Sequence, residues 1–205
     1  MQGFIDFIKD NSYNMVKMFI YQFGMTVFGL TLSLATASND TLLLIAGCFS
    51  VLFYMYLLYT MTWELGAKDR VRIDSGRATA MPLKGLYISI GANTINIILG
   101  LLIVIGYFSV REWIPVVDPA SGATVMTGEP LWAINLYGTA KTIDMLLHGM
   151  YTAFIRLYMS ENPFAYIIII LPALIICTVG YLLGSRNFKL IKTNINASKL
   201  KKNDK

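Results

Sequence analysis

The chain has 205 residues, of which 56% are hydrophobic and 14% charged, with a mean hydropathy of +0.58 and a net charge of +5. A soluble domain carries about 25% charged residues, so too few polar side chains remain here to coat a surface facing water. The composition excludes an ordinary soluble globule, a disordered chain and a disulfide-rich secreted module, and it points to an all-α integral membrane protein.

The first stretch, Gln2 to Asn14, has two readings. It is either a short amphipathic segment at the membrane interface, with Phe4, Ile5 and Ile8 opposite Asp6, Lys9 and Asp10, or a frayed terminus. Four apolar runs follow, at 18–37, 42–63, 86–108 and 165–183, and none contains a charged side chain. Each is close to the ~20 residues that cross ~30 Å of hydrocarbon. The expected fold is a single membrane domain over 1–205, a bundle of four transmembrane helices. The first run can also be read as a signal peptide, because Lys9 and Lys17 precede it and Ala35-Thr36-Ala37 resembles a cleavage site. Its apolar core exceeds the usual ~7–15 residues of such a peptide. Only Ser38-Asn39-Asp40-Thr41 separates it from the second run, which suits a helical hairpin.

Between the second and third runs lies the densest charged stretch, with Lys68, Arg70, Arg72, Arg77 and Lys84. It reads either as a topology determinant or as a surface for a soluble partner or anionic lipid headgroups. The third run carries a polar stripe of Ser89, Asn93, Asn96 and Gly100, and Gln22 and Thr26 on the first run can pair with it. An amide in hydrocarbon must find a partner, so this face is expected to point into the bundle, as interhelical glue or as the lining of a solute path.

Beyond the third run, Val116 to Val125 has β-prone ends around a turn sequence and predicts a small hairpin. The region 131–158 is rich in apolar residues yet holds Lys141, Asp144, His148 and Arg156, each costly at the bilayer centre. On a helical projection of about 100° per residue, Trp132, Leu136, Ile143, Leu147, Met150, Phe154 and Leu157 fall on one side. Tyr137, Lys141, Asp144, His148, Thr152 and Arg156 form a ridge on the other. This predicts one amphipathic helix lying on the outer surface, its ridge in water and available to a partner or to lipid. Asp144 one turn before His148 is the base half of a nucleophilic site, but on a solvated ridge such a pair is an ordinary surface contact. No nucleophile, phosphate-loop or metal motif accompanies it, and Cys48 and Cys177 have no metal-spaced neighbours. No catalytic residue, cofactor, metal or nucleic-acid partner is therefore expected.

The fourth run opens after Asn162-Pro163, a helix-start signal, and contains Pro172, where a kink is expected. It ends with Gly180 and Gly184, a pair of small residues that permits close helix contact. Fourteen of the seventeen Lys and Arg residues fall in alternate segments, including the basic tail 186–205. Retention of basic residues on the inner side then places both termini in the cytoplasm. The abundance of Ile, Asn, Lys and Tyr fits a low-GC bacterium, and the expected location is its cell membrane. The expected role is a non-enzymatic accessory subunit or assembly platform, in contact with other membrane subunits or copies of itself. The alternative is a small transporter component or oligomeric pore, its path lined by the third-run stripe. The lack of ionisable residues inside all four runs weighs against a proton-coupled carrier.

Overall fold

The computed structural model of the chain describes residues 2–111, 116–117, 120–122, 124–125, 131–160 and 162–188. Trp113 and most of the basic tail, 189–205, lie outside them. The described residues are almost entirely helical. Helix α1 (Gln2–Ala35) is continuous, so residues 2–14 are its first turns rather than a separate interfacial or frayed segment. After a tight turn, the Asn39 side chain accepts hydrogen bonds from the backbone N–H groups of Thr41 and Leu42 at 3.0 and 3.1 Å and caps α2 (Asp40–Asp74). Helices α1 and α2 pack together, with Phe28 against Phe49 and Phe53. Helix α2 continues well past its apolar run, so Lys68, Arg70 and Arg72 stand on a helix rather than in a loop.

The third run is two helices, α3 (Lys84–Ala92) and α4 (Thr94–Arg111), which meet at Asn93 with a bend of 59°. A two-residue antiparallel pair follows, Val116–Val117 with Thr124–Val125. Then come α5 (Leu131–Leu147), a 3-10 turn (Gly149–Tyr151), α6 (Thr152–Tyr158), α7 (Ala165–Ile168) and α8 (Leu171–Ser185). Pro172 sits in the first turn of α8, where its missing N–H removes no helical hydrogen bond. Ile169 and Ile170 before it keep helical backbone angles, so α7 and α8 form one apolar stretch, Ala165–Ser185. Three stretches are long and apolar enough to cross a membrane: Ile5–Ala35, Asp40–Asp74 and Ala165–Ser185. The bent α3–α4 pair makes four if it is one span.

The main departure from expectation is 131–158. It is not one helix lying across the outer ends of the spans. Helix α5 runs back along α4, with Tyr137 against Gly106, and ends with Leu147 beside Gln22 of α1. The chain breaks at His148, and α6 then retreats, packing Ala153 on Gly47 of α2. By Leu157 to Ser160 it has returned to Tyr107 and Phe108 near the end of α4. The segment therefore enters and leaves at the end of the bundle that holds the α1–α2 turn. Gln22 lies thirteen residues from Ala35, which is about 20 Å at 1.5 Å per residue.

At Asp144, His148 and Trp132 the exposure is the reverse of the expected one, while Met150 is buried and Arg156 exposed as expected. Asp144 and His148 are 0% and 3% exposed, whereas Trp132 is 61% exposed, with Ile143 and Leu146 also outward. Small residues, Ala133 and Ala140, share the buried face and let α5 approach α4 closely. The wider bundle follows the same rule. Gln22, Thr26, Ser89, Asn93 and Asn96 are buried, while Phe23, Val27, Ile45, Leu52 and Ile175 face outward. Gly180 and Gly184 lie against α2, where a β-carbon would meet Tyr59, Thr62 and the backbone of Trp63.

Candidate functional site

The site grows from the end of α5. The last carbonyls of a helix have no partner within it, and here Leu147 C=O accepts from Gln22 Nε2 at 3.0 Å and from Thr26 Oγ1. Asn96 Nδ2 donates to Gln22 Oε1 and to Asn93 Oδ1, both at 2.9 Å, and Asn93 Nδ2 donates to Ser89 C=O at 2.9 Å. The amide stripe is thus a clasp joining α1, the α3–α4 break and the tip of α5. Gly149 is required at the tip, because a β-carbon would strike Leu30 and the Thr26 carbonyl. Gly29 is its counterpart on α1, facing the backbone of Met150. Gly100 receives Ile167 and so brings α7 against α4.

Beside this clasp lie Asp144 and His148. His148 Nδ1 stands 3.1 Å from Asp144 Oδ1, an ion-pair distance if the ring is protonated. The contact lacks hydrogen-bond alignment, and neither carboxylate oxygen has another partner among the described residues. The imidazole meets the Tyr151 ring edge-on, at 6.0 Å between centroids. The Tyr151 hydroxyl is buried and makes no hydrogen bond. One turn earlier, Lys141 Nζ donates to Tyr137 Oη at 3.3 Å, and Tyr166 of α7 lies within its electrostatic reach. A cavity of about 210 Å³ opens between the arms of the hairpin, and Lys141, His148, Thr152, Arg156, Ser160 and Tyr166 line it.

A second cavity, of about 840 Å³, occupies the opposite end of the bundle, where Lys17, Lys68 and Arg72 face Asp10 and Glu64. Its floor is Asp69, which is buried. Asp69 Oδ2 accepts from Lys84 Nζ at 2.7 Å and from Tyr181 Oη at 3.0 Å, joining α2, α3 and α8. Of the other expected basic residues, Arg70 pairs with Asp74 outside the cavity and Arg77 bonds Ser75 Oγ.

Comparison with known proteins finds no matching family model, no similar curated protein and no similar solved structure. The site is read from its own geometry. Sequence reasoning missed Asp69, Tyr151 and Tyr166, since each lies in a stretch where nothing marks it as polar-paired. It misplaced Asp144 and His148. The available signal was Gly149, a helix breaker that divides 131–158 into pieces each too short to span.

Proposed function

We propose that this chain is a multi-pass membrane protein that serves as a small transporter component. The observation that supports this most is the hairpin, which carries Asp144 and His148 into the bundle to the level of Gln22 and Asn96. Ionisable groups at such depth are expensive, and they usually mark solute or proton paths. Irregular backbone at membrane depth is tolerated only where protein or a polar cavity surrounds it, and transporter sites are commonly built from such interrupted helices. Here the interruptions at Asn93 and next to Leu147 meet at one cluster, through Asn96 and Gln22. An accessory or assembly subunit would need no ionisable pair there.

In this reading both termini and the Asp69 end face the cytoplasm of a bacterial cell, and the hairpin enters from outside. Lys68, Arg72 and the exposed Arg70 and Arg77 then meet anionic headgroups of the inner leaflet. The protein acts with copies of itself or with further membrane subunits, because four spans rarely enclose a path alone.

Reswelling of proteoliposomes tests the reading. Vesicles shrunk in hyperosmotic glycine, ammonium, lactate or phosphate should recover faster with the protein than without it for at least one solute. Asp144→Asn should slow that recovery. Recovery at the protein-free rate for every solute would overturn transport.

A further inference from the structure

We infer that the cavity between the arms of the hairpin is a binding site for a small monocarboxylate. Two permanent cations stand on its wall, Lys141 half-buried within and Arg156 at the exposed mouth. Among the described residues no carboxylate lines it. Asp144 is not among the lining residues, and its near neighbour is His148 at 3.1 Å. Two cations on the wall suit a small anion.

The Tyr166 hydroxyl supplies an independent pointer to a ligand. Tyr166 is 1% exposed and lines the cavity, and its Oη has no well-formed hydrogen bond, the Lys141 ammonium being the polar group nearest to satisfying it. A buried hydroxyl without a full partner is costly, and an oxyanion beside Lys141 would satisfy it. Ser160 Oγ offers a further donor near the mouth. Thr152 does not, because its hydroxyl donates to Gly149 C=O at 2.8 Å.

Size and wall chemistry narrow the class. A volume of about 210 Å³ equals roughly seven waters at ~30 Å³ each, which is below the ~300 Å³ floor of drug-sized sites. Met145 and Ile155 complete the lining and give it an apolar side. A carboxylate with a short hydrocarbon tail uses both surfaces, whereas an inorganic oxyanion wastes the second.

The inference rests on the transport reading for its purpose, and its test is independent of flux. The purified full chain in detergent is titrated with sodium acetate, lactate and butyrate, against sodium chloride and sodium phosphate at matched ionic strength. Calorimetry and the melting temperature are read together. Saturable binding and a raised melting temperature are expected for at least one monocarboxylate, with no such response to chloride or phosphate. Tyr166→Phe removes a hydroxyl whose nearest polar neighbour is the Lys141 ammonium, so it should fold normally and bind at least tenfold more weakly. Lys141→Met should bind more weakly still. Equal responses to carboxylate and chloride, preference for phosphate, or wild-type affinity in folded Tyr166→Phe would each overturn the site. Carboxylate binding with no solute entering the vesicles would leave the site standing and sink transport. Entry of a different solute without carboxylate binding would do the reverse.

Discussion

Single side chains in this bundle matter through what they touch, and the glycines show it most directly. A β-carbon on Gly184 would collide with the Trp63 backbone, which cannot swing away, whereas one on Gly138 meets open space. Overpacking costs about 1–3 kcal/mol, and replacing an unconstrained helical glycine by alanine gains about 0.5–1 kcal/mol. Gly184→Ala should therefore lower the melting temperature in detergent, and Gly138→Ala should hold or raise it. A shared direction of change would contradict the close approach of α8 to α2. The amide clasp gives a second residue-scale expectation. Asn96→Leu strips Gln22 Oε1 and Asn93 Oδ1 of their donor, at about 0.6–2 kcal/mol per interhelical bond. A double-mutant cycle with Gln22→Leu should show a coupling of that order, measured by thermal or denaturant unfolding. Strict additivity would mean that the two amides do not interact.

Among the elements, α2 and α8 form the most extensive helix pair, and the Asp69 contact fastens its lower end to α3. Lys84→Met would leave a buried carboxylate one partner short, a loss of about 1–3 kcal/mol. The Arg70–Asp74 pair has the same 2.7 Å separation, but its side chains are 52% and 57% exposed, and exposed pairs contribute about 0–1 kcal/mol. Arg70→Met should shift the melting temperature little where Lys84→Met shifts it clearly. Comparable losses would show that burial of Asp69 does not decide its strength. The tip of the hairpin is held to α1 by Gln22 and Thr26 at the Leu147 carbonyl and by the close packing of Gly149 and Met150 on Leu30 and Gly29.

At the scale of the whole molecule, the distribution of charge and the direction of each helix make one prediction together. In a chain with Cys48 and Cys177 replaced, Ser121→Cys should react with an impermeant thiol reagent in intact cells. Ser198→Cys should react only after lysis, because basic segments are retained inside. Labelling of Ser198→Cys in intact cells would invert the bundle. The monocarboxylate cavity would then open to the cytoplasm.

Much of this architecture was legible in the residues alone. Spans around 18–37, 42–63 and 165–183 follow from uninterrupted apolar length, which depends on composition and rise per residue and on no tertiary contact. The turn between α1 and α2 follows in the same way from the four residues, Ser38 to Thr41, that separate the two runs. The sequence also placed polar groups on one face of 131–158. It did not say which face points inward, because amphipathicity defines two faces and leaves the surroundings to choose between them. In water Asp144 and His148 would turn outward. Packed along α4, with apolar side chains outermost throughout the bundle, the same helix turns them in. The bend at Asn93 and the break at His148 were likewise beyond local reading. At the break the Leu147 carbonyl has no helical donor, and Gln22 and Thr26, far along the chain, supply donors in its place. At the bend the backbone of Asn93 keeps its local partners, and Gln22 is tied to it only through the Asn96 side chain. Both arrangements exist only once the tertiary structure has formed.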